Sequence, residues 1–235
     1  MILRRAVLFA ALLIALAGSG AMSAPPIPRP HSPLIAAHRG GAALWPENSL
    51  AAFRGAITLG VDALEFDVHL TEDGEPVVIH DATLERTTTG RGPLREATRA
   101  SLASVRLRAL DGTPTDERVP TLAEVLDVAA PSRVEVLPEV KSDVSGAPYD
   151  GLEVRVLEAL AARGLSRRAV VQSFDPATLT RVRERAPSAR TMLLVSRTRL
   201  GVEGISAMDA ARRAAGLGAT DIGLDGVRAT SAWTS

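Results

Sequence analysis

Short apolar or alternating runs along the chain are separated by longer stretches whose apolar residues recur three and four apart. "SPLIAAH" (32–38) predicts a short buried strand ending at His38, and "ENSLAAFRGAITLG" predicts a helix with Ser49 or Asn48 as its cap. Leu50, Phe53 and Ile57 give that helix its apolar face, and Gly60 stops it. "VDALEFDVHL" (61–70) alternates strictly: Leu64, Phe66, Val68 and Leu70 share one face, Ala63, Glu65, Asp67 and His69 the other. An Asp-Gly turn in "TEDGEP" then leads to a third strand, "PVVIH", ending at His80.

Residues 81–118 break this rhythm, with a loop-like "TTTGRG", a polar helix over "LREATRASLASVRLRAL" and a second loop, and are expected to form an insertion after the third strand. The rhythm resumes with "TLAEVLDVAA", a helix opened by Thr121 with Glu124 three residues on, a capping box. Strand "RVEVLPEVK", helix 151–163, strand "RAVVQSF", helix 176–186, strand "RTMLLVS", helix 204–217 and strand "TDIGL" follow. Strands alternating with helices imply a parallel sheet covered by helices, either an open doubly wound sheet or a barrel. "HRGGAALWPENS" lacks the spacing of a dinucleotide-binding loop. Polar residues recur at the C-terminal ends of four strands, namely His38-Arg39, Glu65-Asp67-His69, His80-Asp81 and Glu139-Lys141. In a (β/α)₈ barrel such ends converge on one rim, so the barrel is favoured.

Composition narrows the setting. "MILRR", the apolar run Ala6 to Gly18 and the small residues after it read as an export signal over 1–24, followed by a proline-rich linker at 25–33. The apolar run makes only about 20 Å of helix, short of a hydrocarbon core of about 30 Å. The expected mature protein is therefore exported, periplasmic or secreted, with no stable membrane anchor. The chain has no cysteine, which excludes disulfides, thiol catalysis and a lipidated cysteine anchor. With 27 basic and 27 acidic residues overall, loss of Arg4 and Arg5 leaves a net charge near −2, with no general attraction to nucleic acid.

Glu65, Asp67 and Glu139 are hard oxygen donors, and a divalent cation would offset their repulsion; Ca²⁺ or Mg²⁺ suits them better than Zn²⁺ or Cu²⁺. The bland alternative pairs each carboxylate with one of the abundant arginines. His38 and His80, two of only four histidines, end separate strands and suggest an acid and a base. Lys141 is the single lysine among 27 cationic side chains, and with Arg39 it would hold a substrate anion such as phosphate.

"HRGGAALWPENSLAAF", "DALEFDVHLTEDGEPVVIHDATLERTTTGRG", "VPTLAEVL", "PEVK" and "VVQSFD" resemble, in order and spacing, the motifs of the glycerophosphodiester phosphodiesterase family, in the form of its exported members. The resemblance implies a TIM barrel over residues 34–235 with a small insertion after the third strand. It implies one divalent cation, Ca²⁺ or Mg²⁺, on Glu65, Asp67 and Glu139, and His38 and His80 as the acid–base pair. Arg39 and Lys141 would contact phosphate, with Glu47 and Asn48 as further substrate-site residues. The reaction implied is hydrolysis of a small glycerophosphodiester to sn-glycerol 3-phosphate and an alcohol. His69, furthest toward the rim, is expected to line the substrate entrance.

After "TDIGLD" the sequence gives "GVRATSAWTS", where the family pattern continues through a further helix, strand and helix. The domain is therefore expected to lack its final strand and helix. Three functions stay open on this reading: the hydrolase, an inactive relic or non-catalytic binding module of the same fold, and a phosphodiesterase acting on lysophospholipids or phosphoinositides.

Overall fold

The computed structural model describes residues 34–224; the expected signal, the linker and the Trp233-containing terminus lie outside the described residues. The sheet is organised around β2 (Ala63–Leu70), whose alternation is read out as the sequence predicts. Leu64, Phe66 and Val68 are fully buried against Phe53 and Ala56 of α1 (Leu50–Leu59) and Leu122, Val125 and Leu126 of α3 (Leu122–Ala129). Phe53 meets Phe66 edge to face with centroids 5.7 Å apart. Each such side chain contributes about 1.5–3 kcal/mol by leaving water. A register slip of one residue would drive Glu65 and Asp67 into this apolar layer, so the core fixes which face carries the acids.

β1 (Ala36–Ala37) runs parallel to β2 on one side, and β4 (Glu135–Val140) runs parallel on the other. β5 (Val170–Ser173), β6 (Arg190–Val195) and β7 (Asp221–Leu224) continue the parallel series in the order β1-β2-β4-β5-β6-β7. Helices α1, α3, α4 (Leu152–Ala162), α5 (Pro176–Arg185) and α7 (Ala207–Gly216) intervene in sequence. Together they form part of a (β/α)₈ barrel. The caps are those expected: Ser49 accepts from the Ala52 N–H, Gly60 closes α1 at φ 79°, and Thr121 with Glu124 forms a complete capping box.

Three elements differ from expectation. β3 (Pro76–Val78) is not a parallel member of the barrel but pairs antiparallel with β2, Val78 opposite Val68 and Pro76 opposite Leu70. A parallel neighbour needs a crossover of about a dozen residues or more, and only the turn 71–75 intervenes. Thr71 closes that turn, its hydroxyl donating to Asp73 at 2.6 Å and its N–H to the Glu75 carbonyl at 3.1 Å. The predicted polar helix after it is reduced to a 3-10 turn, Leu94–Glu96, and α2 (Arg99–Leu102). Backbone groups at 106–108 pair instead with Thr87, Thr89 and Glu117, and Leu84, Leu94, Leu102 and Leu107 build a separate small core with Ile79. The helix expected at 204–217 is α7 alone, preceded by α6 (Arg197–Glu203); Gly204 at φ 63° ends one and the Ser206–Asp209 capping box starts the other.

Candidate active site

The parallel register of β2 and β4 sets Asp67 opposite Glu139, with Glu65 two residues earlier on the same face as Asp67. Their carboxylates offer oxygens that all lie within 4.8 Å of one another, and all three residues are buried. Burial first, then the Asp67 charge, pushes Glu65 up to about 8. Burial likewise raises Glu139 to about 7 despite its pairing with Lys141. Burial also opposes ionisation of Asp67, but Lys141 and the Asn48 amide outweigh it and hold that carboxyl below its usual range.

Lys141 Nζ lies 2.8 Å from Glu139 Oε1 and 3.0 Å from Asp67 Oδ1, inside the acidic cluster. Arg39 approaches from the turn after β1, where its backbone adopts φ 52° and its N–H donates to Glu65 Oε2 at 2.7 Å. Gly40 is required beside it, since a Cβ there would meet the Phe53 ring at 2.9 Å. The Arg39 guanidinium bonds Glu47 at 3.2 Å and lies 3.8 Å from Asp67.

Glu47 and Asn48 bond directly to residues of the site. Asn48 is buried at φ 57° and donates its amide to Asp67 Oδ2 at 2.8 Å, holding a carboxylate in place. Both oxygens of Glu47 are taken up by Arg39 and Arg86.

The two histidines enter one cleft of about 380 Å³, together with Arg39, Glu65, Glu139 and Lys141. His38 Nε2 stands 3.9 Å from Glu65, and burial and the neighbouring Arg39 charge lower its pKa. His80 arrives from the opposite direction to the parallel strands. The antiparallel return of β3 carries it back past the Ile79 N–H to Asp67 carbonyl bond of 3.0 Å, so the hairpin rather than a strand end delivers it. Its Nδ1 bonds Asp81 at 2.6 Å, and Arg86 clamps Asp81 through two bonds of 2.6 and 2.8 Å. Burial opposes this, yet Arg86 and His80 hold Asp81 down at about 2. A larger apolar groove of about 670 Å³ lies at the other ends of β5 and β6, between α4 and α5, and carries no comparable set of groups.

Asp81, Arg86 and Gln172 were not among the site residues expected from the sequence. Asp81 was legible in the His-Asp doublet at the end of "PVVIH", whereas Arg86 comes from the loop-like start of the insertion, outside any periodic run. Gln172 sits opposite Glu139 on β5 and donates to Glu65 at 3.1 Å, a position marked only by a polar residue in a buried strand. His69 does not line an entrance: it is buried beneath Tyr149 and His80.

The donor set suits a hard divalent cation. It is three carboxylates from two adjacent strands, two of them raised by burial with the Asp67 charge adding to it, and the buried Asp67 Oδ1 makes no hydrogen bond although the Lys141 ammonium lies close by.

Residues 38–221 match the model of the glycerophosphoryl diester phosphodiesterase family, and the chain belongs to that family. It is 36% identical over 162 residues to a glycerophosphodiester phosphodiesterase of Caldanaerobacter subterraneus subsp. tengcongensis, an alignment covering 68% of this chain and 66% of that relative. The chain thus spans just under two thirds of that relative's length. Among solved structures, a family protein of Agrobacterium tumefaciens superposes with a TM-score of 0.73 at 28% identity, over 81% of this chain and 74% of the other. A phosphodiesterase of Oleispira antarctica, solved in complex with the product sn-glycerol-3-phosphate, gives 0.67 at 27% identity, over 82% and 74%.

Proposed function

We propose that the chain hydrolyses glycerophosphodiesters to sn-glycerol 3-phosphate and an alcohol. The observation that carries this reading is the convergence of Glu65, Glu139, two histidines, Arg39 and Lys141 on one cleft, with the Asp67 carboxylate buried within 4.8 Å of the two glutamates. Family membership and the likeness to the Oleispira antarctica enzyme with its bound product support the substrate class. Glu65, Asp67 and Glu139 would hold Ca²⁺ or Mg²⁺. A bound cation of this kind neutralises charge building on phosphoryl oxygens.

The chain's own residues supply the rest. Arg39 and Lys141 place fixed positive charge beside the carboxylates, where an anionic phosphodiester is otherwise repelled. Asp81 accepts from Nδ1–H of His80, which fixes the tautomer and assigns proton exchange to Nε2. His38 serves the opposite transfer, one histidine taking a proton from the nucleophile and the other giving one to the departing alcohol. The nucleophile is water, or a neighbouring substrate hydroxyl that first closes a cyclic phosphate. The signal-like pattern of residues 1–24 supports export of this activity from the cytoplasm.

The test is release of sn-glycerol 3-phosphate from glycerophosphocholine, glycerophosphoethanolamine and lysophosphatidylcholine by the purified protein with Ca²⁺ or Mg²⁺. Turnover of the first two is expected. Absence of turnover on all three by protein shown to be folded would sink the proposal, and exclusive turnover of the lysolipid would replace its substrate class.

A further inference from the structure

β3 pairs with β2 along one edge and meets Pro120 and Thr121 along the other, and its pairing with β2 ends at the Ile79 N–H to Asp67 bond, so His80 lies just beyond the ladder. Among the described residues no backbone N–H outside the strand ladders reaches the His80 carbonyl; its partner is His69 Nε2, at 3.1 Å. The other nitrogen of His69, Nδ1, lies 3.0 Å from the Tyr149 hydroxyl, and the two rings meet edge to face at 5.6 Å and 88°. His69 is 1% exposed and touches no carboxylate through hydrogen bonds.

We propose that His69 and Tyr149 are positioning residues that lock the backbone at His80 and so aim its imidazole into the cleft. This rests on the reading of His80 as an acid–base residue. A carbonyl only accepts, so Nε2 of His69 must carry the hydrogen; Nδ1 is then an acceptor, and the Tyr149 O–H donates to it. Tyr149 thereby fixes the His69 tautomer. Without that hydroxyl a buried acceptor is left unmet, and the alternative tautomer would set a lone pair against the His80 carbonyl.

Tyr149 is itself anchored. It follows a loop closed by Asp143, which accepts from Ser145 N–H at 2.8 Å, Ser145 Oγ at 2.6 Å and Ala147 N–H at 3.1 Å. Asp143 also pairs with Arg95 of the insertion. His80 is therefore held twice: its ring by Asp81, and its backbone by a chain of contacts that begins in the insertion and ends at His69. A purely apolar residue at position 69 would pack the same space but leave the His80 carbonyl unpaired and its peptide free to tilt.

The experiment compares His69→Leu, His69→Gln and Tyr149→Phe in the full chain. Each is examined by steady-state hydrolysis of glycerophosphocholine and by nitrogen-15 spectra of labelled histidines. His69→Leu is expected to lower kcat about tenfold or more with KM changed less than about twofold, since small misplacement of a reacting group is costly to rate. His69→Gln, whose amide nitrogen can still donate to the His80 carbonyl, restores most of the loss. In the spectra the native protein shows His69 as the Nε2–H tautomer, and Tyr149→Phe moves both the His69 and His80 ring signals.

Native kcat and native His80 signals in folded His69→Leu or Tyr149→Phe would overturn the proposal. If His69→Leu does not fold, Tyr149→Phe, which removes one hydroxyl, decides the matter. The spectra read the His80 environment without turnover, so a native protein inactive on glycerophosphodiesters would refute the hydrolase reading while leaving the positioning test in force.

Discussion

Replacing Glu65 by Gln removes one charge from the acidic cluster and should stabilise the metal-free protein at pH 8 while abolishing its response to metal. Burial and the Asp67 charge carry Glu65 from an ordinary 4.5 to about 8. Such a displacement corresponds to a cost of about 5 kcal/mol wherever the group must be ionised in the fold. Coulomb's law gives a similar scale, about 3–4 kcal/mol for two like charges just under 5 Å apart at an effective dielectric of about 20. Because the three acids titrate together and Lys141 compensates part of the charge, the expected gain is smaller, about 2 kcal/mol, or a rise in melting temperature of about 4–8 °C for a domain of this size. The sign follows from the direction of the shift. A carboxyl raised in the folded state contributes stability that is complete below 4.5 and disappears as the pH climbs through about 8. Metal-free native protein should therefore melt higher at pH 5 than at pH 8, the variant should flatten that difference, and Ca²⁺ or Mg²⁺ at a hundred times its Kd should restore about 2.7 kcal/mol to the native protein only. Thermal melts of chelated and metal-loaded samples across pH 5–8 provide the assay. A variant no more stable than native protein at pH 8, or a native melt indifferent to pH over that range, would refute the electrostatic account of the cluster.

Two further outcomes follow from other parts of the structure. Asp81→Asn should lower kcat by about 10²-fold or more with little change in KM, because the amide no longer enforces the His80 tautomer; native kcat would remove Asp81 from the machinery. Phe66→Ala, at the contact between β2 and α1, should cost about 3–5 kcal/mol in urea unfolding, and a loss below about 1 kcal/mol would show that the core does not fix the β2 register.

The parts of the fold that local chemistry dictates were legible in the sequence. Strict alternation from Leu64 to Leu70 located β2 and its acidic face, and Ser49, Gly60, Thr121 and Glu124 marked helix ends through bonds made within a turn. Direction of pairing was not legible in the same way. "PVVIH" has the composition of a buried strand whether parallel or antiparallel, and only the short 71–75 connection carried the information that it returns as a hairpin. The insertion misled for a related reason: Leu94 and Leu102, eight residues apart, have helical spacing but serve, with Leu107, a small core whose backbone is paired across the chain. Within the site, the carboxylates, His38, His80, Arg39 and Lys141 were marked by type and by position at strand ends. The groups that hold them were not. Arg86, Gln172 and Tyr149 reach the site from other loops and strands, and their roles depend on distances that a linear pattern does not encode.

The most direct test of the central claim is the rate at which the purified full chain releases sn-glycerol 3-phosphate from glycerophosphocholine before chelation, after chelation and after adding back Ca²⁺ or Mg²⁺. The account predicts loss of turnover on chelation, recovery with one of these cations, and no recovery when Glu139 is replaced by Gln. Turnover that survives complete chelation, or that is unchanged by Glu139→Gln, would contradict it.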